Sequence, residues 1–330
     1  MRIEAFTQGK HLDDPEANED RFLVLPGRGY AVIDGATDIG GKLFEGRRGG
    51  WWGAETTMRA VAGFLAAATP REISAQALVE EVGSALRGLY ARQGTLAAMR
   101  ADRARRFGAT LTLAADLGDA FRFVLIGDSG LRINGAEAFV EDTGLDLVTA
   151  SLRVAAYRFV SAAGGGVDDC RRVGRALSFH GAARLHTDAR PWLDDESLAA
   201  LRAESLAWSQ ARLPAVPEAD LRALVDGGIE GQARFANNTS SPLCYAVLDG
   251  FEVPPALVRV FERPRTAVRS IELHSDGYFA RGATPSLADW ETAADEVERV
   301  DPEKVGAYPS VKGSAGRMRT DDRTVVIIRP

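Results

Sequence analysis

Asn18-Glu19-Asp20-Arg21-Phe22-Leu23-Val24-Leu25-Pro26-Gly27-Arg28-Gly29-Tyr30-Ala31-Val32-Ile33-Asp34-Gly35 is the stretch that decides how this chain is read. Its two apolar runs, 21–25 and 30–33, have β character, and Pro26-Gly27-Arg28-Gly29 between them is a turn. The spacing predicts a hairpin with a four-residue loop. Folded about Gly27 and Arg28, the hairpin sets Arg21 opposite Asp34 and Asp20 opposite Gly35. Paired strands lie about 4.8 Å apart. Glu19, Asp20 and Asp34 are therefore expected to meet at its open end.

The same acidic signature recurs at other predicted strand ends: Gly127-Asp128-Ser129, Ser275-Asp276-Gly277 and Asp321-Asp322. Taken singly, each reads as a turn, since Asp is a common turn residue. Taken together, they can gather at one edge of a sheet system. Clustered carboxylates disfavour one another's ionisation. Mg²⁺ or Mn²⁺ removes that penalty, because hard divalent cations prefer oxygen ligands. Two such ions about 3.5–4 Å apart, sharing one carboxylate, suit the cluster. The expectation is a metal-dependent hydrolase.

Outward from this stretch, a helix is predicted over 54–68, with Met58, Val61, Ala62 and Leu65 on one face. A second is predicted over 74–90, with Ser74 as N-cap and Leu78, Val82, Leu86 and Leu89 at helical spacing. Strand 110–114 follows, then a hairpin of 121–126 and 131–134 about Gly127-Asp128-Ser129-Gly130. Residues 146–235 are rich in Ala, Leu and Arg, with helices at 147–162, from Asp194, and after Pro217. This region reads as a helical insertion or lid within one domain spanning 1–330. Strands are predicted again at 243–248, 257–261 and 268–273, then an amphipathic helix over 287–300. Residues 301–319 read as a long loop, and 324–328 as a buried closing strand. The order of elements indicates an α+β fold with helices packed on antiparallel sheets.

Composition excludes several classes. The 330 residues are 45% hydrophobic and 26% charged, enough for a sizeable core. A net charge of −6 gives no reason to expect nucleic acid or an anionic membrane as partner. No apolar run reaches membrane-span length, and Met1-Arg2-Ile3-Glu4-Ala5-Phe6 lacks a signal-peptide core. Two isolated cysteines, Cys170 and Cys244, suit a reducing cytoplasm and exclude a Cys-rich zinc site. The weight of Ala, Arg and Gly suits a bacterial source. His180, His186 and Asp188 match no metal-ligand spacing and read as structural. His274 reads as packing beside Asp276, and Trp51-Trp52 as an anchor of the first helix.

In this order and spacing, Asn18-Glu19-Asp20, Asp34-Gly35, Gly108-Ala109-Thr110, Gly127-Asp128-Ser129, Ser275-Asp276-Gly277 and Asp321-Asp322-Arg323-Thr324 resemble the type 2C, or PPM-family, metal-dependent protein phosphatases. The resemblance implies a four-layer α-β-β-α sandwich of two antiparallel sheets with flanking helix pairs. It implies that Asp34 bridges two metals, Asp276 and Asp321 complete one, and Glu19 with the Gly35 carbonyl holds the other. Asp20 would orient waters, and Asp128 with Asp276 would hold a third ion. A hydroxide between the two ions would attack phosphorus in line with the leaving oxygen. The implied activity is phosphoserine/phosphothreonine protein phosphatase. Hydrolysis of a small phosphorylated metabolite, or a pseudophosphatase with a binding role, stays open. Two positions depart from the pattern: Ala36 replaces the general-acid His, and Pro15 the phosphate-binding Arg of eukaryotic members. Lys10, Lys42 and Arg47 are the candidate replacements for that Arg.

Overall fold

The computed structural model describes residues 1–36, 43–69 and 72–330. Along the chain come β1 (Arg2–Gln8), β2 (Arg21–Leu25), β3 (Gly29–Ile33), β4 (Gly35–Ala36), α1 (Gly49–Ala67), α2 (Ala75–Arg92) and α3 (Leu96–Ala101). Next are β5 (Gly108–Ala109), β6 (Leu111–Asp116), β7 (Ala120–Ile126), β8 (Gly130–Ile133) and β9 (Glu137–Phe139). Four helices follow: α4 (Leu145–Ala162), α5 (Val167–His180), α6 (Asp195–Arg212) and α7 (Glu218–Gly227). The chain ends with β10 (Arg259–Pro264), β11 (Ile271–His274), α8 (Leu287–Val300) and β12 (Arg323–Arg329). Two compact units result, one of Met1–Glu141, Tyr245–Val297 and Gly316–Pro330, the other of Asp142–Cys244 and Glu298–Ala315.

The first unit holds two antiparallel five-stranded sheets, ordered β1-β12-β11-β8-β9 and β10-β7-β6-β3-β2. Strand periodicity explains the layering. Successive side chains point to opposite faces, and β3 is apolar on both. Tyr30 and Val32 join Leu131, Ile133, Ile271, Leu273, Val326 and Ile328 in the core between the sheets. Ala31 and Ile33 face the other way, into a core built with Val61 and Leu65 of α1 and Leu78, Val82 and Leu86 of α2. β12 is apolar on both faces too, and its outward Val325 and Ile327 pack on Trp290 and Ala294 of α8. Each large aliphatic side chain so buried contributes about 1.5–3 kcal/mol. The layers run helix, sheet, sheet, helix, as the α+β reading required.

α2 begins where its cap predicts, with Ser74 Oγ accepting from the Ala77 N–H at 3.2 Å. α1 starts earlier than periodicity indicated, at Gly49, because Gly49, Gly50 and Gly53 have no side chain to register a face. β1 was not read from sequence; it pairs with β12 from Arg2↔Arg329 to Gln8↔Arg323.

Three expectations are corrected. The β2–β3 register runs Arg21↔Ile33 to Leu25↔Gly29, one residue away from the predicted pairing. The turn takes three residues, 26–28, with Gly27 at φ +75°, and Gly29 already belongs to the ladder; extending the register sets Asp20 across from Asp34. Residues 121–126 and 131–134 form no hairpin, since β7 and β8 lie in different sheets and Gly127-Asp128-Ser129 carries the chain across. Residues 243–248 form no strand. They run as a largely buried segment with isolated bridges, among them Ala109↔Leu248, and β5 offers only a two-residue edge.

The second unit is helical, from α4 to α7, and includes α5, which the sequence reading did not identify. Asp194 caps α6 by accepting from the Ser197 N–H at 2.8 Å. The segment 298–315 has no helix or strand beyond the end of α8 and is tied down by charge. Arg153 of α4 donates to the carbonyls of Glu303 (2.8 Å), Lys304 (3.1 Å) and Ser310 (3.1 Å). His180 and His186 stack at 4.2 Å, in keeping with a structural role.

Candidate metal centre

The site forms within the first unit, where the strands of both sheets end. β2 is preceded by Glu19 and Asp20, both buried, at 1% and 2% exposure. β3 runs into Asp34, whose carbonyl accepts from the Thr110 N–H at 2.8 Å. The chain then leaves the β2 ladder, and Gly35 pairs with Ala109 of β5. Gly35 must be glycine, since a Cβ there would stand 2.3 Å from the Gly50 carbonyl oxygen. This close approach brings the start of α1 against the site. A Cβ on Gly50 would lie 2.7 Å from Glu19 Oε1 and 2.9 Å from the Gly35 carbonyl oxygen, so both oxygens face the same point.

The second sheet supplies the remaining acids. β11 ends at His274, and Ser275 then donates from Oγ to Asp20 Oδ2 at 2.7 Å while accepting from the Thr324 N–H at 2.8 Å. Asp276 projects from this turn, and one of its carboxylate oxygens lies within 4.8 Å of one from Asp128 on the β7–β8 crossover. Thr110 and Thr112 hold that crossover, through Ser129 Oγ at 2.7 Å and its carbonyl at 2.8 Å. Asp321 and Asp322 precede β12, and Asp322 is buried. Its Oδ1 accepts from the Lys10 N–H at 2.6 Å, and its Oδ2 from the Glu19 N–H at 3.3 Å.

Electrostatics show how crowded these charges are. Burial, then Asp322, pushes the Asp20 carboxyl up to about 8, against the hydrogen bonds from Ser275 and Thr324. Burial, then the charges of Asp20, Asp276 and Asp128, holds Asp34 well above the usual carboxylate range. Each would ionise readily only with positive charge nearby. One cation is built in. Lys10 Nζ donates to Glu19 Oε2 at 2.8 Å and Asp322 Oδ2 at 3.0 Å, and stands 3.5 Å from Asp321 Oδ1. Burial works against its charge, but Asp321, Glu19 and Asp322 outweigh it and raise its pKa.

Glu19, Asp20, Asp34, Gly35, Asp128, Asp276 and Asp321 thus all belong to this one region. Glu19 Oε1 and Asp20 Oδ1 are buried with no hydrogen-bond partner among the described residues. Buried polar atoms are normally paired. Orphaned carboxylate oxygens in an all-oxygen donor set are what a hard divalent cation requires. The residues therefore fit such an ion.

Residues 7–143 match the family Protein phosphatase 2C. That match covers less than half of the 330 residues. No curated protein matches the chain. Among solved structures, the chain is similar to the serine/threonine phosphatase Stp1 from Staphylococcus aureus, at 11% identity and TM-score 0.46, covering 100% of this chain and 95% of that one. It is also similar to PstP/Ppp from Mycobacterium tuberculosis, at 16% identity and TM-score 0.46, covering 99% and 97%. The PstP catalytic domain in complex with two manganese ions gives 16% identity and TM-score 0.44, covering 99% and 96%.

The phosphate-binding candidates separate. Lys10 lies in the acidic cluster. Arg47 is turned away, donating to the Glu16 carbonyl at 2.9 Å and its carboxylate at 2.5 Å, with its guanidinium 5.3 Å from the Trp51 ring. Lys42 lies outside the described residues. Trp52 Nε1 donates to the Phe44 carbonyl at 2.8 Å, tying the start of α1 to the segment before it. Two participants were missed in the sequence: Ser275, which orients Asp20, and Asp322, taken only as the neighbour of Asp321. A Ser directly before the Asp that follows a buried strand was the available signal for the first. Asp322 had none, because its partner Lys10 is 312 positions away.

Proposed function

We propose that this chain is a cytoplasmic, bacterial phosphoserine/phosphothreonine protein phosphatase dependent on Mg²⁺ or Mn²⁺. The observation that carries this reading is the convergence of the Glu19, Asp20, Asp34, Asp128, Asp276 and Asp321 carboxylates around orphaned buried oxygens. In this reading Asp34, Asp276 and Asp321 would hold one divalent ion, and Asp34, Glu19 and the Gly35 carbonyl another. Asp128 and Asp276 would hold a third. When bound, the ions would supply Lewis acidity, lowering the pKa of a water and offsetting phosphoryl charge.

The chain's own groups hold this arrangement. Ser275 fixes one Asp20 oxygen at 2.7 Å and leaves Oδ1 for a water. Ala36 has no proton to give, so the leaving oxygen takes its proton from solvent. Both cysteines are buried thiols, which suits a reducing compartment. Among the described residues no helix is long and apolar enough to cross a membrane.

Hydrolysis of p-nitrophenyl phosphate with and without Mn²⁺, by wild type and Asp276→Asn, tests the proposal. Metal-dependent turnover that collapses in the variant is the expected result. Folded wild type that binds Mn²⁺ without turnover points instead to a pseudophosphatase. Rates on phosphopeptides against phosphorylated metabolites then fix the substrate class.

A further inference from the structure

Lys10 is a cation placed where a divalent ion is called for. Its ammonium contacts Glu19, a carboxylate assigned above to one metal, and lies 3.5 Å from Asp321, assigned to the other. Asp322 completes the grip at 3.0 Å and also takes the Lys10 backbone N–H. The Lys10 side chain is only 12% exposed, so water does little to screen it. Yet Glu19 stays half-satisfied. Its Oε2 is taken by Lys10, and Oε1 has no hydrogen-bond partner among the described residues. A single ammonium therefore meets part of the charge demand of the cluster.

We propose that Lys10 is a resident counter-ion of the metal centre, displaced from Glu19 and Asp321 when divalent metal binds. The proposal rests on the metal-centre reading and adds a residue to it. An ammonium on Glu19 Oε2 and an ion on the neighbouring Oε1 stand close enough for strong mutual repulsion where water is excluded. The incoming ion must expel the ammonium while Asp322 keeps the Lys10 backbone in place. Lys10 thus stabilises the metal-free chain and weakens metal binding by competition. Once displaced, the tethered ammonium remains at the edge of the site.

Two measurements test this, both independent of turnover. The first is calorimetric titration of Mn²⁺ into wild type, Lys10→Met and Lys10→Arg. Lys10→Met is expected to bind at least ~10-fold tighter, about 1.4 kcal/mol, and Lys10→Arg close to wild type. Equal or weaker binding by Lys10→Met overturns the displacement. The absence of binding to all three proteins sinks the metal centre itself, and the displacement with it. The second uses wild type alone, so it stands if the variants do not fold. The chain has only four lysines, 10, 42, 304 and 312. Labelling with an amine-reactive succinimidyl ester in phosphate-free buffer, read by mass spectrometry, is expected to increase severalfold at Lys10 when Mn²⁺ is added, with buried Lys304 unchanged. Unchanged labelling at Lys10 with Mn²⁺ bound overturns the proposal.

Discussion

Ser275 Oγ and Asp20 Oδ2 are joined at 2.7 Å across 255 positions of sequence, and the same hydroxyl accepts the Thr324 N–H. One hydroxyl therefore ties the ends of β2, β11 and β12 together, across the two sheets. Replacing Ser275 with Ala takes the hydroxyl partner from a buried N–H and removes one of the two side-chain hydrogen bonds to Asp20. A loss of about 1–3 kcal/mol is expected, read by urea denaturation. Mn²⁺ affinity is expected to fall as well, since Asp20 becomes free to turn. Unchanged affinity in Ser275→Ala would show that Asp20 needs no fixing.

Asp276 is exposed. Asp276→Asn should leave stability within about 0.5 kcal/mol. Metal-dependent hydrolysis should drop on the order of 10²-fold or more. Parallel losses of stability and activity would mean that Asp276 holds the fold and not the ion.

Gly35→Ala should cost about 1–3 kcal/mol, the usual penalty of overpacking. The added Cβ meets the Gly50 backbone carbonyl at 2.3 Å, which cannot rotate away as a side chain could. The start of α1 must then retreat from Glu19, so metal affinity falls together with stability. Wild-type denaturation midpoints in Gly35→Ala would contradict the close approach.

Arg47→Ala should change kcat/KM less than about twofold. Its guanidinium is engaged by Glu16, which is 77% exposed, and pairs of this kind contribute little. A large rise in KM for the phosphorylated substrate would instead place Arg47 on the phosphate.

Asp301 gives a pH-dependent stability with a definite sign. Burial alone would raise its pKa, but N–H donors from Tyr308, Val305 and Gly306, with Lys304 nearby, hold it below the ordinary 3.8. A depressed carboxylate stabilises the fold above its unfolded pKa and loses that contribution as pH falls through the folded value. Wild type should lose more stability between about pH 5 and pH 2.5 than Asp301→Asn, measured by denaturant titration at each pH. Identical pH profiles would remove Asp301 from the account.

Much of the fold was legible because one residue's neighbours in sequence are its neighbours on a strand or helix. Tyr30–Ile33 announces a strand buried on both faces, and Ser74 with Leu78, Val82 and Leu86 announces a capped amphipathic helix. The helix over 287–300 matches α8 at both ends. The failures have the opposite cause. The one-residue register error came from a turn whose length is set by the Gly27 conformation. The false hairpin at 127–130 came from two strands adjacent in sequence that join different sheets. The false strand at 243–248 has strand-like composition but lacks an edge to pair with.

The sequence by itself determined the strand and helix faces, the apolar layers, and which carboxylates end a strand. Those properties follow from side-chain periodicity, which is local. Only the tertiary structure decided that Asp128 crosses between sheets toward Asp276, that Ser275 locks Asp20, and that Lys10 occupies the cluster of Glu19, Asp321 and Asp322. These relationships depend on which strands pair across up to 312 positions. That choice is made by the summed burial of the whole core, and no local stretch encodes it.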